Sequence, residues 1–84
     1  MGEIKNLQVT ANEGEVHIIP GMFDYHSVRD LKEAVGNQIG QNADHIRLIW
    51  AGKELDEMAT DDEGELCTLK DYDIVDDANI FMVI

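Results

Sequence analysis

Cysteine is all but missing from this sequence. Among its 84 residues there is one, Cys67, so no intramolecular disulfide can hold the fold together. A catalytic thiol needs a nearby base and an electropositive setting. Cys67 follows Glu63, Gly64, Glu65 and Leu66, which offer neither and are expected to raise its pKa. A tolerated surface or half-buried thiol is the expectation. Basic residues are also scarce, six Lys and Arg against 18 Asp and Glu, for a net charge of −12. Phosphate contacts are made mainly by Lys and Arg, so this balance argues against nucleic acid and equally against anionic membrane surfaces. It favours solubility and quick encounter with basic partners. Long apolar runs are missing too: none approaches the roughly 20 residues that a bilayer crossing needs. The opening Met1-Gly2-Glu3-Ile4-Lys5-Asn6 has no signal-peptide core. Asn6 stands where an N-myristoylation signal wants Ser or Thr. A soluble protein of the cytoplasm or nucleus is expected.

Chemistry-bearing patterns are equally thin. His17, His26 and His45 share neither a helical face nor a metal-ligand spacing, which speaks against zinc. The acidic run Asp61-Asp62-Glu63-Gly64-Glu65 fails as a calcium loop. An EF-hand wants a Glu six residues after its Gly, where Lys70 stands, and its first ligand would fall on Ala59. No GxxxxGK[ST] loop is present to cradle phosphates. No Ser-His-Asp constellation can be argued, and a domain this small seldom hosts a deep pocket. Neither enzymatic activity nor a cofactor is expected.

What is there suits a single domain over residues 1–84, near the small end of what folds unaided. Hydrophobic residues make up 44% and charged ones 29%, an ordinary globular balance with room for one sheet and one helix. Leu7-Gln8-Val9-Thr10 alternates like a half-buried strand, Asn12 to Glu15 supplies a turn, and Val16-His17-Ile18 resumes the alternation. That reads as a hairpin with a loop longer than two residues, ended by Pro20-Gly21. Ser27 with Asp30 makes a capping-box variant, and Val28, Leu31, Val35 and Ile39 build one apolar stripe. Gly40 stands where a left-handed cap is needed. Gly36 weakens the helix by about 1 kcal/mol relative to Ala. Ile46 to Trp50 reads as a third strand, Ala51-Gly52-Lys53 as a turn, and Glu54-Leu55 as a short fourth strand. A polar excursion over 56–66 is followed by a capped turn from Thr68 to Tyr72, and Ile80 to Ile84 forms a last, wholly apolar strand. The order predicts an α+β fold with one helix against one sheet.

Two segments carry a resemblance. Arg47-Leu48-Ile49-Trp50-Ala51-Gly52-Lys53-Glu54-Leu55 resembles the third-strand and turn segment of the ubiquitin family, and Thr68-Leu69-Lys70-Asp71-Tyr72-Asp73-Ile74 resembles its second signature, a capped turn that packs a tyrosine. The likeness runs from about Leu7 to Ile84. It implies a ubiquitin-like β-grasp fold: a mixed sheet of four to five strands packed on one helix, first and last strands parallel neighbours. Three departures stand out. The family's modifiers end in a flexible Gly-Gly tail, whereas this sequence stops at Ile84. The resemblance therefore implies an unconjugated domain of a longer protein. The alternative is a covalent modifier whose Gly-Gly tail lies beyond residue 84. The interval between the signatures holds an acidic insertion, and the first hairpin has only Ala11 and Asn12 where ubiquitin exposes a leucine.

One helix can cover only one face of a sheet, and the other face normally turns polar. The last strand does not follow that rule. With Ile80, Met82 and Ile84 toward the helix, Phe81 and Val83 must face outward, joined by Ile49 from the third strand. Clustered exposed apolar residues mark an interaction site. The resemblance implies the same place: Ile49, Phe81 and Val83 match ubiquitin's recognition patch, with Ala51 and Gly52 forming its turn, Arg47 on its rim and Lys53 beside it. Phe81 stands where ubiquitin has a histidine. The implied partners are proteins with ubiquitin-binding helices or small helical domains, or other domains of the parent protein. Lys32 matches a semi-buried lysine paired with a carboxylate, for which Asp56 or Glu57 is the expected partner.

Overall fold

Every strand in this chain is short, from two to five residues, and an isolated hairpin of such strands is marginal in water. The strands therefore depend on joining a single sheet and on what packs against it. The computed structural model describes residues 2–84. Its elements run β1 (Gln8–Thr10), β2 (Val16–Ile18), α1 (Val28–Ile39), β3 (Arg47–Trp50), β4 (Lys53–Glu54) and β5 (Asn79–Val83). Short 3-10 turns lie at Ala43–His45 and Lys70–Tyr72. The strands form one five-stranded sheet in the order β2-β1-β5-β3-β4. β1 and β5 are parallel, and the other neighbours are antiparallel. This is the α+β architecture that the element order predicts, with the mixed sheet and parallel first and last strands that the resemblance implies. β4 begins one residue earlier than expected, at Lys53, which leaves Leu55 to turn into the core.

The helix forms where its end signals stand. Asp30 N–H donates to Ser27 Oγ and Ser27 N–H to the Asp30 carboxylate, both at 3.1 Å, closing the capping box. Gly40 ends it in the left-handed conformation, with φ of 76°. Gly36 has a packing reason to sit inside the helix. The chain folds back so that Gly40 and Gln41 N–H both donate to Gly36 O, at 2.8 and 2.9 Å. A Cβ at position 36 would lie 2.5 Å from Gln41 O. Close return of the backbone thus offsets the weak helix propensity of glycine.

Val28, Leu31 and Val35 from α1 share the core with Val9, Leu48, Ile80 and Met82 from the sheet, and Ile4, Leu7, Ile19, Ile46, Leu55, Leu69 and Ile74 close the margins. Ile84, expected to continue the inward set, lies past the end of β5 and is exposed. The second signature locks to the loop before α1: Leu69 N–H donates to His26 O and Lys70 N–H to Asp24 O, both at 2.9 Å. Asp71 accepts from Thr68 N–H at 2.9 Å, and Tyr72 packs half-buried on the core while its carbonyl accepts from Trp50 Nε1 at 2.8 Å. The acidic excursion is ordered into a small hairpin. Thr60 and Leu66 bridge, and Asp61 Oδ1 accepts from Glu63 and Glu65 N–H at 2.9 and 3.0 Å.

The carboxylate expected beside Lys32 goes elsewhere. Glu57 lies 3.5 Å from Arg29, whose guanidinium also pairs with Glu33 and Asp44. Arg29 reaches three acids because its planar fork bridges the helix and the following loops. Among the described residues Lys32 makes no ion pair within 4 Å. It is nonetheless largely buried, in a cleft shared with Asp56 and Glu57.

Candidate protein-interaction face

The sheet has α1 on one side, and strand pleating decides what faces the other. In β5, Ile80 and Met82 are buried at 0% and 2% exposure, while Phe81 between them is 59% exposed. The register sets Phe81 opposite Ile49 and Val83 opposite Arg47, both across the β5–β3 pair. Ile49 and Val83 are half-buried and Arg47 is exposed. Phe81, Ile49 and Val83 therefore form one apolar island with Arg47 at its side.

The β3–β4 hairpin borders this island. Ala51 and Gly52 both have positive φ, 54° and 79°, as a two-residue turn between antiparallel strands demands. Ala51 bears the cost of that conformation because it carries a Cβ. Both residues are exposed. Glu54 pairs with Ile49 across the strands and approaches Arg47 Nε at 3.9 Å, in a solvent-exposed contact that adds little stability. Lys53 is exposed but pairs with Trp50, so the pleat separates it from the Ile49 side.

The face holds two apolar residues that sequence reasoning missed. In β2 the inward position belongs to His17, opposite Val9, so Val16 and Ile18 point outward and are 53% and 47% exposed. Between them and the first island runs a polar stripe. Thr10 Oγ1 donates to Asn79 Oδ1 at 2.8 Å, and Asn79 Nδ2 donates to Gln8 Oε1 at 3.4 Å. One signal was available. Ile18 and Ile19 are adjacent apolar residues that must face opposite ways, and Ile19 N–H bonds Leu7 O on the core edge.

Other candidate chemistry lies apart from this face. Cys67 is half-buried, and burial together with Asp71 and Asp61 pushes its thiol up, away from the nucleophilic thiolate. Among the described residues no group of three or more His, Cys, Asp and Glu is placed to hold a metal ion, and no helix is long and apolar enough to cross a membrane.

A mixed five-stranded sheet with parallel outer segments of chain at its centre, wrapped on one helix, defines a ubiquitin-like β-grasp module. The chain belongs to the ubiquitin family, whose profile matches residues 7–84. Among solved structures, the solution structure of the N-terminal ubiquitin-like domain in the 4931431F19Rik protein is similar to it, with a TM-score of 0.79 at 21% identity. That likeness covers 100% of this chain and 77% of the other. No curated protein sequence matches.

Proposed function

We propose that this domain is a non-enzymatic recruiting module, held by ubiquitin-pathway proteins through the open face of its sheet, in the cytoplasm or nucleus. The observation that carries the reading is Phe81, a large aromatic side chain left 59% exposed in the central region of the sheet beside Ile49 and Val83. A folded domain gains nothing from an apolar side chain kept in water, whereas a partner that covers it gains its burial. The occupant is an amphipathic helix or a small helical domain. A patch this small gives affinities on the order of micromolar to hundreds of micromolar. With Arg47 the island's cation, partners that offer carboxylates bind less well than they bind a patch with a fuller basic rim. The ordered acidic hairpin around Asp61 steers basic partners. Deleting it is expected to slow their association, and an unchanged on-rate removes that role.

An NMR titration of the labelled domain with a ubiquitin-binding helix tests the reading. Shifts are expected at Ile49, Phe81 and Val83, together with a loss of affinity in Ile49→Ala. Absence of shifts there, or an Ile49→Ala variant that binds unchanged, overturns it.

A further inference from the structure

We infer that the open face takes a single partner helix of at least three turns, running across the strands from β3 to β2 and gripped at both ends. The inference rests on the recruiting role proposed above and adds a second anchor site, Val16 and Ile18, with a length, direction and residue pattern for the partner. Successive residues Ile49, Phe81, Thr10 and Val16 lie opposite one another across β3, β5, β1 and β2. Neighbouring strands are about 4.8 Å apart, so this row spans about 14 Å. An α-helix rises about 1.5 Å per residue, which sets its contacts near i, i+3, i+7 and i+10, all on one helical face. Apolar residues at i and i+3 meet Ile49 and Phe81, and one at i+10 meets Val16 and Ile18. The residue at i+7 crosses the hydrogen-bonded stripe of Thr10 and Asn79, so a Gln, Asn or Ser there keeps those groups paired where an apolar side chain would bury them unsatisfied.

Charge sets the direction. On the open face the β3–β4 end carries Arg47 beside Glu54, whereas no Lys or Arg occurs between Leu7 and Val28, and the turn into β2 carries exposed Glu13 and Glu15. A helix with Lys or Arg at its C-terminus over β2 complements Glu13 and Glu15, and a carboxylate at its N-terminus over β3 meets Arg47. The same placement suits its own macrodipole. A second copy of this chain, at net charge −12, is a poor occupant because the two would repel.

The test uses two synthetic peptides and the 84-residue chain. The long peptide is an acidic-to-basic helix with Leu at i, i+3 and i+10 and Gln at i+7, and the short one stops after i+5. Affinities come from NMR titration against wild type, Ile49→Ala and the double variant Val16→Thr with Ile18→Thr, whose β-branched replacements suit an exposed strand. The double variant is expected to weaken the long peptide roughly tenfold and leave the short one unchanged, while Ile49→Ala weakens both. If the double variant leaves the long peptide unchanged while Ile49→Ala still weakens both, the two-ended grip is overturned and the recruiting face stands. If neither peptide shifts Ile49 or Phe81 in wild type, the recruiting face itself fails.

Discussion

The two faces of one strand set the terms for this molecule. Ile80 and Phe81 are consecutive in β5, share the same flanking strands, and end in opposite environments, one sealed and one open to water. Burial of such a side chain stabilises a domain by about 1.5–3 kcal/mol. The covered face draws that stabilisation in full from α1, and the open face, with Phe81 exposed and Ile49 and Val83 only half-buried, draws much less, although both carry large apolar groups. Hydrophobicity in a strand therefore does not by itself report burial, and only the register shows which residue closes the core.

Truncation on the covered side should be the harshest blow. Leu48→Ala is expected to cost about 2–5 kcal/mol in urea unfolding, through lost burial and a residual cavity. A loss under about 1 kcal/mol would erase the distinction between the faces. Gly36→Ala, on the helix that covers the sheet, should lower thermal stability by about 1–3 kcal/mol despite the better helix former, because the new Cβ collides with Gln41 O. Phe81→Thr on the open side is expected to stay within about 1 kcal/mol of wild type while weakening a bound helix roughly tenfold. A large loss of stability would move Phe81 into the core and break the contrast. The smallest effect belongs to Arg29, which fastens the helix to its loops. Its guanidinium holds the Asp44 carboxyl below the ordinary carboxylate range, chiefly by hydrogen bonding. A depressed folded-state pKa stabilises above the unfolded value of about 3.9 and is lost as pH falls through the folded one. Wild type and Arg29→Met should therefore differ slightly near neutrality and converge at lower pH, as followed by thermal unfolding across pH. A gap that persists in acid would assign the effect of Arg29 to packing.

Much of this was legible in the residues. Ser27 with Asp30 and the glycine at 40 bounded the helix, and the apolar run from Ile80 to Ile84 announced a strand with apolar residues on both sides. β2 was not legible. Val-His-Ile invites the reading that its apolar residues face inward, yet pairing with β1 puts His17 opposite Val9 and reverses it. Over three residues the period alone cannot choose between faces, and the long connection from Thr10 to Val16 decides. The partner of Lys32 was misjudged for a related reason: Arg29 lies one turn earlier and reaches Glu57 first. Gly36 looked like a weakness because the returning backbone at Gln41 is a tertiary fact.

β5 is the middle strand of the sheet and also the last element of the described chain to be synthesised. While a ribosome is still making residues before Asn79, β1–β2 and β3–β4 are two separate hairpins with nothing between them, each too short to persist alone. Emergence of Ile80 and Met82 inserts the missing centre, closes a loop of nearly the whole chain, and joins both halves at once. The nascent domain thus has no stable half-built form, and its birth on the ribosome is a single late event.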